Sequence, residues 1–213
     1  MPIGKRLKKR VHRIMALAQD ILVLEIYDAF PAAVIHGGTA IWRCYGSNRF
    51  SEDVDVYLPI VAKRSDMKNF IDGLEDKGLA IEKFKRTGNS IFAKLSYMGV
   101  AVRFEAVFKN AKGLIRPFEM SDGTSILVNT LSPDEMIEEK ISAYAERRKV
   151  RDLYDIFFLL KFVEDEGRIG SLLREFVKGF RRPVDERGLK ALIISGAVPS
   201  VDAMLEAMRP WAR

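Results

Sequence analysis

Asp53 and Asp55 stand one residue apart in Asp53-Val-Asp-Val-Tyr57, among β-branched and aromatic residues that favour an extended chain. Side chains alternate faces along a strand, so both carboxylates point one way while Val54 and Val56 point into a core. Their Cα atoms would lie about 6.5–7 Å apart, close enough to converge on one or two hard cations. Upstream, His36-Gly37-Gly38-Thr39 supplies a glycine turn leading into a helix-forming stretch. Backbone without Cβ approaches a ligand closely, and the N–H groups that open a helix attract phosphate oxygens. Gly37, Gly38 and Thr39 are therefore candidate phosphate contacts, and the acid pair is a candidate metal site. Together they suit a polyphosphate and its counter-ions.

Which metal such a site takes follows from the remaining residue types. Cys44 is the only cysteine, which excludes an intramolecular disulfide and a thiolate-type metal site, and the two histidines, His12 and His36, lack ligand spacing. Carboxylates remain, and with them Mg²⁺ or Mn²⁺. Glu105 is a candidate third ligand. In the run 101–108, Arg103 and Glu105 share one face while Val102, Phe104 and Ala106 take the other. The alternative is an exposed Arg103–Glu105 face on an ordinary antiparallel strand. Glu52 faces away from the pair, and Trp42, Tyr45 and Phe50 read as core packing around the glycine-led helix.

The elements that must position these groups alternate between strand and helix as far as about residue 128, after which the pattern is wholly helical. Strands are expected over 34–36 and 54–58, the latter ended by Pro59, with a helix over 39–45 between them. A helix over 65–76, capped by Ser65 and stopped by Gly78, precedes extended runs over 79–84, 91–97 and 100–108. Met98-Gly99 joins the last two as a tight hairpin. Ser132-Pro133-Asp134-Glu135 opens the helical part, with Pro in the first turn and acids complementing the dipole. Helices are expected over 133–147, 151–163, 170–180, 186–194 and 201–208.

With 213 residues, 48% hydrophobic and 30% charged, the chain fits one large domain or two small ones and is neither disordered nor membrane-spanning. Lys5, Arg6, Lys8, Lys9, Arg10 and Arg13 ahead of an apolar run imitate a secretory leader, but Asp20 and Glu25 interrupt that run. Its apolar residues recur at helical spacing, so it reads as an amphipathic helix with a basic start. No stretch approaches the roughly 20 apolar residues of a membrane span, and the expectation is a cytoplasmic protein without a membrane partner. The net charge of +6 gathers in that helix and in Lys140, Arg147, Arg148, Lys149 and Arg151, with Arg181 and Arg182 beyond. Such clusters suit RNA or polyphosphate; a solvated basic face is the other reading.

Gly37-Gly38-Thr39 followed by Arg49-Phe-Ser51-Glu-Asp53-Val-Asp55-Val resembles the first motif of the AbiEii/AbiGii toxin family of nucleotidyltransferases. Collinear with it, Ser132-Pro-Asp-Glu-Met-Ile-Glu-Glu-Lys140 and Arg147-Arg-Lys-Val-Arg151-Asp152-Leu-Tyr-Asp155 resemble the later motifs. The resemblance implies an α+β fold: a polymerase-β-like nucleotidyltransferase core, a mixed sheet with flanking helices, over residues 1–128. An α-helical C-terminal module over 129–213 would follow and contribute to the active-site cleft. Asp53 and Asp55 would hold Mg²⁺ or Mn²⁺, with Glu105 a tentative addition. Gly37, Gly38 and Thr39 would cradle the triphosphate of an NTP, joined by Arg49 and Ser51, which orient phosphate or brace the aspartates. A structural ion pair from Arg49 to Asp53 or Asp55 is the competing assignment. Lys140 and Asp152 would complete the catalytic set, while Asp155 has an alternative as the i+4 partner of Arg151. The implied activity transfers NMP from an NTP to RNA, specifically tRNA, as the toxin of a toxin–antitoxin pair with an antitoxin protein as partner. Two alternatives stand beside it: modification of a small hydroxylated molecule such as an antibiotic, and a catalytically inactive module that binds nucleotide, RNA or a protein.

Overall fold

The computed structural model describes residues 1–62 and 64–212, apart from the side chains at 64 and 65; the expected cap at Ser65 lies outside the described residues. The chain divides into two compact units, Met1–Gly46 with Ser51–Leu131, and Ser47–Phe50 with Ser132–Arg213. The first runs α1 (Ile3–Arg6), α2 (Arg10–Ala29), β1 (Val34–His36), α3 (Gly37–Tyr45), β2 (Asp53–Leu58), α4 (Arg64–Asp76), β3 (Ala80–Arg86), β4 (Ser90–Tyr97), β5 (Val100–Phe108), β6 (Leu114–Glu119) and β7 (Ser125–Thr130). The strands form one seven-stranded sheet in the order β3-β4-β5-β2-β1-β7-β6. It is mixed: β2 runs parallel to β5 and β1 parallel to β7, while the other neighbours are antiparallel.

Period-two patterning sets which face is buried. Val54, Val56 and Leu58 of β2, Val102, Phe104 and Ala106 of β5, and Ile91, Ala93 and Leu95 of β4 are all buried. On this part of the sheet α2 packs against β4 and β5 and also against α4. The Phe70 ring of α4 lies 5.4 Å from Phe104 and 5.8 Å from Phe30. Each fully buried side chain of this size contributes about 1.5–3 kcal/mol of hydrophobic stabilisation. The β4–β5 hairpin turns on Met98 and Gly99, both at positive φ (49° and 76°), as two-residue hairpins require. Beyond Phe108 the sequence patterning assigns no separate strands, and the structure adds the β6–β7 hairpin. Pro117 of β6 falls on the sheet edge, where its missing N–H is tolerated.

In the second unit α5 (Pro133–Arg147), α6 (Val150–Leu159), α7 (Glu166–Lys178), α8 (Leu189–Leu192) and α9 (Val201–Met208) follow in order. Ser132 and Glu135 make a reciprocal capping box ahead of α5, with Pro133 at its first turn. The helix expected over 151–163 ends at Leu159 and tightens into a 3-10 turn over Leu160–Phe162. α7 begins ahead of the expected 170 because the Asp165 side chain accepts from the Arg168 N–H at 2.9 Å. The helix expected over 186–194 is broken into a 3-10 turn, the short α8 and an extended Ile193. Two backbone hydrogen bonds of 2.8 Å, Phe50 N–H to Leu192 O and Ile194 N–H to Asn48 O, explain the break. The β-branched Ile193 forms an antiparallel bridge to Arg49 instead of a further helical turn. Among the described residues no helix is long and apolar enough to cross a membrane.

Candidate functional site

β1 passes into α3 without a loop, since His36 ends the strand and is also the helix N-cap. Gly37 follows at φ +70°, and a Cβ there would collide with the Asp55 carboxylate, because β1 pairs with β2 with His36 opposite Asp55. Glycine is thus required twice, by conformation and by the room the acid needs. The N-cap side chain makes no capping hydrogen bond, and N–H groups that open a helix attract anions. Thr39 is buried, and its hydroxyl, expected to meet phosphate, donates to the Asp53 carbonyl and ties α3 to β2. Ser51, also buried, accepts at its carbonyl from Gln19 Nε2 at 2.9 Å, bracing the approach to β2.

Along β2 the expected alternation holds, with Asp53, Asp55 and Tyr57 on the half-buried face. Register places Arg103 beside Asp53 and Glu105 beside Asp55 on the parallel neighbour β5. Arg103 and Glu105 are both exposed on β5, and Arg103 is also paired. Its Nε donates to Asp53 Oδ1 at 2.7 Å and its Nη2 to Oδ2 at 3.0 Å, and these bonds hold the guanidinium above its usual range. Tyr57 stacks on His36, 4.0 Å between centroids and 11° between planes. The acids supply hard oxygen donors that suit Mg²⁺ or Mn²⁺. Among the described residues no three of His, Cys, Asp and Glu gather into a ready-made cage. Mg²⁺ does not require one, since it keeps several waters and takes one or two carboxylates plus substrate phosphates.

The second unit brings together the other sequence-selected residues. Asp152 and Asp155 on α6 are wholly buried. Arg49 grips Asp155 with Nε at 2.7 Å and Nη2 at 2.9 Å, and Lys140 Nζ lies 2.8 Å from Asp155 and 3.5 Å from Asp152. Arg147 donates to Asp152 through Nε and Nη2, both at 2.8 Å. Burial would raise the Asp155 carboxyl, but Arg49 and Lys140 outweigh it and hold it below the usual carboxylate range. The pair that the structure shows for Arg49 is with Asp155, and Arg151 makes no ion pair among the described residues. Asp155, which the sequence offers as a partner of Arg151, joins Arg49 and Lys140 in this network. The separation of 106 residues from Arg49 hides that link from any local pattern.

The basic cluster is partly neutralised. Arg147 pairs with Asp152, Lys149 with Asp185, and Arg182 with Glu186 and Asp202. Arg148 and Arg181 are exposed and, like Arg151, have no ion pair among the described residues. Trp42, Tyr45 and Phe50 are buried, in keeping with packing roles.

Comparison with known proteins gives this geometry a family. The family model described as nucleotidyl transferase AbiEii toxin, type IV toxin–antitoxin system, matches residues 22–209. JHP933 from Helicobacter pylori is similar in structure at 19% identity, with a TM-score of 0.65 over 97% of this chain and 93% of its own. MenT4, a nucleotidyltransferase toxin from Mycobacterium tuberculosis, is 17% identical, with a TM-score of 0.63 over 95% of this chain and 82% of its own. A search of curated protein sequences returns no match. At such identities the structural likeness establishes the fold, and the family model, which spans most of the sequence, establishes the membership. The chain belongs to the AbiEii nucleotidyltransferase toxin family.

Proposed function

We propose that this nucleotidyltransferase transfers NMP from an NTP to an RNA acceptor, tRNA in particular, with Asp53 and Asp55 as the divalent-metal ligands. The observation that carries the reading is the pair of carboxylates on one face of β2, with the opening turn of α3 beside Asp55. Mg²⁺ or Mn²⁺, when bound by Asp53 and Asp55 with Glu105 alongside, supplies charge neutralisation for the triphosphate and activation of the attacking hydroxyl. The chain's own groups do the rest. Backbone N–H groups of Gly37, Gly38 and Thr39 bind phosphate oxygens, and the Thr39 hydroxyl keeps Asp53 in place through its carbonyl. Lys140 and Asp152 stay in the proposal on the strength of their motif match. Arg148, Arg151 and Arg181, without ion pairs among the described residues, are cations able to meet RNA phosphate. A cognate antitoxin is the protein partner that the family description suggests. NTP and tRNA are both cytoplasmic, and on this reading so is the enzyme.

The test incubates the protein with Mg²⁺, each labelled NTP in turn and total cellular RNA, beside Asp53→Asn and Asp55→Asn. Label on tRNA that falls at least about a hundredfold in both variants is the expected result. Label on a small molecule and none on RNA would redirect the acceptor assignment. Equal labelling by wild type and variants would remove the metal assignment.

A further inference from the structure

We infer that Arg103 is an exchangeable counter-ion of the aspartate pair: its guanidinium neutralises Asp53 until a divalent cation takes its place. This rests on the reading of Asp53 and Asp55 as metal ligands.

The parallel register of β2 and β5 puts Asp53, Asp55 and Glu105 on neighbouring positions of one face, with strands about 4.8 Å apart. Carboxylates on neighbouring positions of one face repel one another, and a cation beside them relieves the repulsion. Arg103 stands at the fourth position of that rectangle, and its fork covers both oxygens of Asp53, the atoms a metal would need. A metal and Arg103 therefore compete for Asp53.

The chain contains a second Arg–Asp fork that shows why this one can open. Arg49 and Asp155 have side chains 4% and 0% exposed, sealed away from water. Arg103 and Asp53 have side chains 47% and 19% exposed. A fork with that much solvent contact is held weakly, and its flexible stem has water to swing into. A divalent ion brings twice the charge to the same oxygens. Arg103 thus neutralises Asp53 before metal arrives and withdraws as the metal enters.

Mn²⁺ binding to the full chain without nucleotide, followed by calorimetry or by the EPR signal of free Mn²⁺, tests the competition. Arg103→Gln is expected to bind Mn²⁺ about two- to fivefold more tightly than wild type, the range an exposed ion pair is worth. Asp53→Asn is expected to lose binding. If Asp53→Asn loses Mn²⁺ while Arg103→Gln binds no more tightly than wild type, the competition is overturned and the metal reading stands. If wild type and both variants fail alike to bind, the metal reading falls and takes this inference with it. A measurement on wild type alone avoids dependence on the variants: the Arg103 Nε–H resonance, identified by its loss in Arg103→Lys, is followed as Mg²⁺ is added. Loss of its protection from exchange is expected; a resonance unmoved once the site is saturated overturns the inference.

Discussion

Asp155→Asn asks how much the second unit depends on its buried charges. The wild-type network sets three cations, Arg49, Lys140 and Arg147, against two carboxylates, Asp152 and Asp155. The substitution keeps the shape but leaves the Arg49 guanidinium buried against a neutral amide in place of its carboxylate, beside its bond from Nη1 to the Phe50 carbonyl at 2.9 Å. Removing one partner of a buried ion pair costs about 3–5 kcal/mol. For a chain of this length that corresponds to a fall in Tm of roughly 6–20 °C, read by circular dichroism or differential scanning calorimetry. The double variant Arg49→Met, Asp155→Leu removes one charge of each sign and fills the space, so it should regain most of the loss. The pH dependence has a defined direction. Asp155 has a depressed folded-state pKa, so its contribution is complete above the unfolded carboxylate value of about 3.9 and is lost as pH falls through the folded value below it. The difference between wild type and Asp155→Asn should be flat from about pH 5 to 8 and shrink below about pH 4. A Tm within about 2 °C of wild type, or a double variant no more stable than Asp155→Asn, would refute the reasoning.

Gly37→Ala should lower stability by about 1–2 kcal/mol through its left-handed φ alone, and the collision with Asp55 should depress transfer further. Urea unfolding and RNA labelling measure the two effects separately, and unchanged activity would contradict the close approach of Gly37 to the acid. Burial pushes the Cys44 thiol up to about 12, so it should resist a thiol reagent at pH 8 until the protein unfolds. Rapid modification of the folded chain would contradict its placement in the core.

Local chemistry was legible in the sequence wherever it depended on neighbours along the chain. The alternation of β2, the Met98-Gly99 hairpin and the Ser132–Glu135 cap all follow from residues within a few positions of one another. The motif resemblance further tied Asp53, Asp55, Lys140 and Asp152 to one family. What escaped depended on long-range pairing. Nothing in the run 101–108 tells that it lies parallel to β2, so the grip of Arg103 on Asp53 could not be seen. The Arg49–Asp155 fork and the break at Ile193 share a cause: Ser47–Phe50 pairs with chain made much later, and tertiary partners override helix propensity there. Gly37 was selected for phosphate, whereas its steric bond to Asp55 needed the β1–β2 register.

Ser47–Phe50 makes the second unit discontinuous in the sequence, and that constrains how it can be inherited and made. During synthesis Arg49 leaves the ribosome well before Asp155, so the core of the helical unit closes only after a distant segment has waited for it. A fragment beginning at Ser132 would enclose Asp155 without its guanidinium and should fold poorly unless a peptide carrying residues 47–50 is supplied. Recombination between relatives at the 131/132 boundary would exchange the helices but not the segment Ser47–Phe50 that packs with them. Productive swaps must therefore carry Ser47–Phe50 along with the C-terminal part, which couples the evolution of two stretches that a linear map of the chain would treat as separate.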